Sequence, residues 1–246
     1  MRNQCMAHRG WSGAAPENTL AAIGMALDHP GVDAIEIDVQ LTRDGVPVVI
    51  HDFTLERTTT GSGLVMQHTY EELRQLDAGS WFDPKYAAQR IPSLEEVLVV
   101  SRGKKRLNIE LKQAANRYRG LEEKVVSLIR RRGMQEQVVV TSFDHLSVQK
   151  VKQLAPELTV GPIIHGLPVL LRNQVAELGA GIVSLAYPYL SAELAEEVVS
   201  WGVELIAWTI DHPDHMRMVA QWHEAIQICT NYPDRWFQVA GIEDSA

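Results

Sequence analysis

The chain has 246 residues, 46% hydrophobic and 22% charged, with a mean hydropathy of −0.11, which excludes disordered and fibrous classes. Its 23 Lys and Arg against 31 Asp and Glu give a formal charge of −8, so the summed field repels nucleic acid and anionic lipid and any anionic ligand must be held by a few local groups. No apolar run approaches the ~18 residues of a membrane span, Met1 to Gln4 lead into His8 and Arg9 without the apolar stretch of an export signal, and two cysteines are too few for a disulfide framework, so a cytoplasmic address and no stable membrane association are expected.

Eight short apolar runs follow in order: Cys5 to Arg9, Asp33 to Val39, Arg106 to Lys112, Val138 to Ser142, Leu158 to Ile164, Gly181 to Ala186, Val203 to Thr209 and Ala225 to Cys229. Between most of them, apolar residues recur three and four apart, which predicts helices over Glu17–Leu27, Leu121–Arg132, Leu146–Leu154, Val169–Leu178, Ala192–Trp201 and Pro213–Trp222. Gly133, Gly179 and Gly202 stand where helices would stop. Eight such runs, most of them separated by a helix, follow the order of a (β/α)8 barrel, and a barrel of roughly 250 residues fits in one domain. Residues 1–246 are therefore expected to form a single domain. Cys5 and Cys229, on the first and last strands, are expected to be packed thiols.

The alternation breaks over Thr42 to Pro92, an insertion after the second strand. Asp44-Gly45 suits a two-residue type I′ turn, in which both central residues have positive φ. Such a turn sets Arg43 opposite Val46 and, further along, Asp38 opposite His51 on one face. A three-residue turn would break that match.

Glu36 and Asp38, two apart on the second strand, share one side of the pleat while Ile35, Ile37 and Val39 take the other. Glu110 and Lys112 repeat the pattern on the third run. In a barrel the apolar set meets the helices and the charged set faces the C-terminal mouth. Three converging carboxylates repel one another unless protons, cationic side chains or a metal intervene, and oxygen-only ligation favours Mg²⁺ or Ca²⁺ over zinc. Single strand-end carboxylates are usually just solvated, but two alternating pairs at matching positions argue for a site. His8 and His51 end strands beside Arg9 and Asp52, and two imidazoles suffice for one acid and one base. His29, His68, His145, His212, His215 and His223 are expected to be packed or surface residues, with His165 an intermediate case. Arg9 and Lys112 either hold a phosphoryl oxygen or pair with the carboxylates. No G-x-S-x-G elbow, glycine-rich nucleotide loop or zinc spacing occurs.

An ordered set of segments resembles the bacterial glycerophosphodiester phosphodiesterase family over nearly the whole chain. Its carriers are Ala7 to Gly10, Ala15 to Thr19, Ile35 to Val39, Asp44 to Asp52, Leu55 to Thr59, Asp77 to Phe82, Ile91 to Val97, Ile109 to Lys112, Ser142 to Asp144, Ala207 to Ile210 and Thr230 to Asp234. The resemblance implies a TIM (β/α)8 barrel with a small inserted subdomain at about 53–90, and hydrolysis of small-molecule glycerophosphodiesters to sn-glycerol 3-phosphate and an alcohol. It puts His8 and His51 on the acid/base pair and Glu36, Asp38 and Glu110 on one divalent cation. Arg9 and Lys112 fall on phosphate contacts, Glu17 and Asn18 on support of the first loop, and Phe143 and Trp208 on the glycerol pocket. Asp211 stands where many members carry Asn, and the last strand lacks their glycine; both bear on leaving-group preference. The rival readings are a phospholipase C or D type phosphodiesterase of the same fold, which needs an apolar lip or basic surface at the mouth, and a non-catalytic phosphate-binding barrel, which would have lost a histidine or carboxylate.

Overall fold

The computed structural model describes residues 3–242; Met1, Arg2 and residues 243–246, the ends of the expected single domain, lie outside the described residues. The strands are β1 Cys5–His8, β2 Ala34–Leu41, β3 Pro47–Val49, β4 Arg106–Leu111, β5 Val138–Ser142, β6 Thr159–Ile164, β7 Ile182–Ala186, β8 Glu204–Trp208 and β9 Ile226–Thr230. All but β3 are parallel neighbours in chain order, and β1 pairs with both β2 and β9, so eight strands close a barrel. The fold is the expected TIM barrel. Its helices are α1 Leu20–Asp28, α2 Tyr70–Arg74, α3 Leu94–Ser101, α4 Leu121–Arg132, α5 His145–Leu154, α6 Leu171–Glu177, α7 Ala192–Ser200, α8 Pro213–Trp222 and α9 Pro233–Ala240.

Two apolar cores explain why these runs become strands. Ile35, Ile37, Val39, Leu107 and Ile109 point outward and pack with Leu94, Val125 and Ile129 of the helices. Alternate residues Met6, Ala34, Val139, Ile182, Ile206 and Cys229 fill the lumen. A strand buried on both faces reads as a nearly continuous apolar run. Truncating one such residue, Ile37→Ala for instance, costs about 2–5 kcal/mol. Where the same strands reach the C-terminal rim, the lumen positions turn polar.

Helix ends follow local chemistry. Thr19 is the N-cap of α1 and accepts from the Ala22 amide, so α1 begins at Leu20 rather than at the expected Glu17. Asn18 just before it is left-handed, with φ of 57°, and cannot continue a helix. Helices α2, α3 and α9 are not among the six expected. Ser93 and Glu96 form a reciprocal capping box at the start of α3, a signal already present in the sequence.

Thr42 to Pro92 holds β3, α2 and two 3₁₀ turns, Val65–Gln67 and Pro84–Tyr86. It has its own small core of Val48, Ile50, Leu55, Val65, Leu73, Ala78 and Ile91. The hairpin at its start differs from expectation. Gly45 alone of the proposed turn pair has positive φ, 77°; Asp44 does not. Thr42 N–H donates to Val46 O at 3.1 Å, which closes a three-residue turn, and Thr42 Oγ1 donates to Asp44 at 2.6 Å. A three-residue turn with glycine left-handed at its end is the commonest alternative to the two-residue form. The register therefore pairs Val39 with Val49, one residue away from expectation. Ile50, not His51, donates its amide to Asp38 O, at 3.0 Å.

Candidate active site

Strand register assembles the site. β1 sets His8 beside Glu36, and β4 sets Glu110 beside Asp38. All three carboxylates are buried, and one oxygen from each lies within 4.8 Å of the others. Glu36 and Glu110 border a cavity of ≈ 130 Å³ at the C-terminal mouth, lined also by His8, Arg9, His51, Lys112, Phe143 and Trp208, and Asp38 lies behind them within the carboxylate cluster. The five groups named for metal holding and proton transfer thus come together at one rim.

The missed register does not remove His51, because a different device carries it. The buried Gln40 side chain donates to the carbonyls of Ile50, His51 and Asp52 at 2.9, 2.9 and 2.6 Å. This clamp bends the chain after β3 so that His51 faces the cavity. Gln40 continues the stripe of Glu36 and Asp38 at the same two-residue spacing, a signal that attention to ionisable groups alone passes over. Asp52 accepts from His51 Nδ1 at 2.6 Å. Arg57 in turn holds Asp52 at 2.6 and 3.0 Å and Glu17 at 2.8 and 2.8 Å. Neither Gln40 nor Arg57 was singled out for a role.

The loop after β1 supplies the second set of clamps. Arg9 is left-handed, with φ of 58°, a conformation costing an L-residue about 1–2 kcal/mol. That turn aims its backbone N–H at Glu36 Oε2, 3.0 Å away, while its side chain reaches Glu17 at 2.8 Å and Asp38 at 3.3 Å. Gly10 follows with φ of 76°, and a Cβ there would sit 2.6 Å from the α1 backbone at Ala22, so only glycine fits. Asn18 donates to Asp38 Oδ2 at 2.8 Å and accepts from the Asp38 amide at 3.3 Å. Lys112 donates to Glu110 at 2.7 Å and lies 3.7 Å from Asp38. Arg9 and Lys112 therefore pair with the carboxylates and border the cavity at once.

Charge is short even so. Burial, then Asp38, then Glu36's other neighbour Glu110 push Glu36 well above the usual carboxylate range. Burial and Asp38 raise Glu110 to about 7 against the pull of Lys112. Burial also pushes Asp38 upward, but Arg9, Lys112 and the two histidines outweigh it and leave Asp38 low. Glu36 Oε1 and Asp38 Oδ1 are buried without a hydrogen bond. Buried carboxylate oxygens without a hydrogen bond are suited to a hard divalent cation.

Burial lowers the pKa of His8 to about 4, with Arg9 adding to the effect, so its ring is neutral near pH 7. Burial lowers His51 as well; Asp38 opposes this, and Arg9 and Lys112 reinforce it. His8 Nδ1 lies 2.7 Å from Asn231 Oδ1, and Nε2 lies 3.8 Å from Glu36. Asn231 sits just past β9, where a barrel strand delivers its functional residues; it carried no assigned role.

Phe143, after β5, stands edge-on to Trp208, at the end of β8, with ring centroids 5.5 Å apart. Lys112 Nζ lies 5.8 Å from the Phe143 centroid. His165 meets Trp208 at 6.1 Å and Tyr189 at 5.2 Å, so the aromatic wall continues to the rim. Leu167, Val169 and Leu170 stand exposed on the loop after β6, and Leu146 on the first turn of α5.

The sequence profile of the Glycerophosphoryl diester phosphodiesterase family matches residues 8–235. The chain is 41% identical over 221 residues to the glycerophosphodiester phosphodiesterase of Caldanaerobacter subterraneus subsp. tengcongensis, covering 89% of this chain and 90% of the relative. It is 33% identical to the glycerophosphodiester phosphodiesterase of Bacillus subtilis, over 95% of this chain and 85% of that one. Among solved structures, an Oleispira antarctica phosphodiesterase in complex with the product sn-glycerol-3-phosphate superposes with a TM-score of 0.90 at 29% identity, covering 97% of this chain and 96% of that one.

Proposed function

The chain belongs to the glycerophosphoryl diester phosphodiesterase family, and from that premise we propose that it cleaves glycerophosphodiesters to sn-glycerol 3-phosphate and an alcohol by paired histidine catalysis at a divalent metal centre. The convergence of His8, His51, Glu36 and Glu110 on one cavity, with Asp38 clustered against the two glutamates, carries this reading.

A phosphodiester resists attack because its charge repels nucleophiles and an alkoxide leaves poorly. Glu36, Asp38 and Glu110 would hold the cation, and the donor set fits Mg²⁺ or Ca²⁺. Bound there, such an ion supplies Lewis-acid polarisation of a phosphoryl oxygen. Arg9 and Lys112 add fixed positive charge beside the phosphate as the transition state forms. Asn18 keeps Asp38 in place, and Glu17 anchors Arg9. Of the two histidines, one takes the nucleophile's proton and the other protonates the departing oxygen. Phe143 and Trp208 form the glycerol side of the pocket. A cytoplasmic setting accords with two free, buried thiols, Cys5 and Cys229, on neighbouring strands but in different apolar clusters. No helix among the described residues is long and apolar enough to cross a membrane.

Incubation with glycerophosphocholine tests the proposal. Release of sn-glycerol 3-phosphate is expected, with exhaustive chelation abolishing it and Mg²⁺ or Ca²⁺ restoring it. Full turnover after chelation removes the metal role, and no release with either cation overturns the reading. A transient cyclic phosphate would mark attack by the glycerol 2-hydroxyl, and its absence would mark attack by water.

One observation favours a second reading, a phosphodiesterase of this fold acting on lipid. The rim formed by the first turn of α5 and the connections after β5, β6 and β7 exposes Phe143, Leu146, Leu167, Val169, Leu170 and Tyr189. That is the apolar lip such an enzyme needs. Comparing glycerophosphocholine, lysophosphatidylcholine and phosphatidylcholine vesicles as substrates separates the two readings.

A further inference from the structure

His8 and His51 are held by different partners, and the difference has a direction. His51 faces the carboxylate of Asp52. His8 faces the side-chain amide of Asn231, which can present either an acceptor or a donor. What decides between them is Asp211, in the connection between β8 and α8. Its carboxylate can only accept. Oδ1 accepts from Thr230 Oγ1 at 3.1 Å and from the Asn231 backbone amide at 2.9 Å. Oδ2 accepts from Asn231 Nδ2 at 2.7 Å.

With its NH₂ spent on Asp211, Asn231 must turn its carbonyl oxygen to the other side. There Oδ1 accepts from Ser12 Oγ at 2.8 Å and meets His8 Nδ1 at 2.7 Å. The reversed amide would set two oxygens 2.7 Å apart with no hydrogen between them. An amide oxygen only accepts, so His8 Nδ1 carries the proton.

We propose that Asp211 is a positioning residue that fixes the polarity of an Asp211–Asn231–His8 hydrogen-bond chain, holding the His8 proton on Nδ1 and leaving the Nε2 lone pair toward the cavity. His8 then presents a bare Nε2 on which it can accept the nucleophile's proton. The proposal rests on the phosphodiesterase reading above for the reaction, but not for the tautomer.

The first test is the ¹⁵N spectrum of ring-labelled His8 at neutral pH in the whole chain loaded with Mg²⁺. A protonated Nδ1 and a bare Nε2 are expected; a proton on Nε2 overturns the proposal. The second compares Asp211→Leu with Asp211→Asn on glycerophosphocholine. Asp211→Leu removes both acceptors, so kcat should fall by about 10- to 100-fold while KM moves less than about threefold, with mixed His8 tautomers. Asp211→Asn has one carbonyl where Asp211 uses two oxygens, so its NH₂ must face either the Asn231 backbone amide or Asn231 Nδ2, and it too should lose the single His8 tautomer. Equal kcat in wild type and Asp211→Leu overturns the proposal, as does an unchanged single His8 tautomer in Asp211→Leu. If Asp211→Leu does not fold, the wild-type spectrum and Asp211→Asn still decide. Failure of the wild type to release sn-glycerol 3-phosphate sinks the functional reading and leaves the tautomer measurement standing separately.

Discussion

The barrel mouth has two unlike halves. Over the loops after β1 and β2, nearly every polar side chain is tied to another: Arg9 to Glu17 and Asp38, Glu17 to Arg57, Arg57 to Asp52, Asp52 to His51. Over the loops after β5, β6 and β7, aromatic rings give way to bare aliphatic side chains, and Val169 is 99% exposed. A transition state has to meet charge at fixed positions, and such a network keeps rotamers from wandering. The body of a substrate only needs apolar area and tolerates looseness. On the proposed function, chemistry and recognition would fall to two sides of one rim, and mutations on the two sides should then fail in different ways.

The largest expected effect lies in the tied half. His8→Ala or His51→Ala should lower kcat by about 10²- to 10⁴-fold, with the far-ultraviolet spectrum and melting temperature close to wild type. Near wild-type turnover in either variant would take that residue out of proton transfer. One step further out, Arg57→Ala should lower kcat by about 10-fold. As a half-exposed ion pair it contributes only about 0–1 kcal/mol to stability, but it is the joint between Glu17, behind Arg9, and Asp52, behind His51. If kcat holds while stability drops, Arg57 is structural and the network does not position the site.

How much of this was legible depended on the kind of signal. The strands stood out because both faces are apolar: Val138–Ser142 and Arg106–Leu111 coincide with their runs almost residue for residue. Glu36, Asp38 and Glu110 were legible because the two-residue pleat leaves few places for a carboxylate to face. The hairpin register was not, since the backbone state of Asp44 depends on its side chain accepting from Thr42 Oγ1 and from the Tyr70 amide, an inserted residue far along the chain. Gln40 and Asn231 escaped because neither ionises, though both orient groups that do. Helix α3 escaped because its capping box, Ser93 to Glu96, was absorbed into a family motif instead of being taken as a helix start.

A smaller effect distinguishes the halves by acid. The hydrogen bonds from Arg57 and His51 hold Asp52 far below the usual carboxylate range, and Arg57 and Arg9 hold Glu17 low against its burial. A carboxyl with a depressed folded pKa binds its proton less readily folded than unfolded. Its stabilisation is therefore complete above the unfolded value, about 3.9 for Asp, and is lost as pH falls through the folded one. Wild type should melt higher than Asp52→Asn at pH 7, and the gap should narrow below about pH 4. A gap that stays constant down to pH 2 would mean that Asp52 stabilises by packing. No such acid term is expected from substitutions in the apolar half.

The smallest effect on the basic reaction should come from that apolar half, and its smallness is informative. Leu146 is 76% and Val169 99% exposed, so Leu146→Glu with Val169→Glu removes little packing and should shift stability by no more than about 0.5 kcal/mol. Glycerophosphocholine has no chain to lie on the rim, and its kcat/KM should stay within about twofold. Lysophosphatidylcholines do have one. Each methylene buried contributes about 0.8 kcal/mol, or about fourfold in kcat/KM when burial is complete. On the lipid reading, wild-type kcat/KM climbs along a series of chain lengths measured below micelle formation, and the double variant flattens the climb without touching glycerophosphocholine. A flat series in the wild type leaves the rim without a part in recognition, and the enzyme is then selective for soluble diesters. A double variant that slows glycerophosphocholine as much as lysolipid would break the comparison itself, because the two halves would then act on the same step.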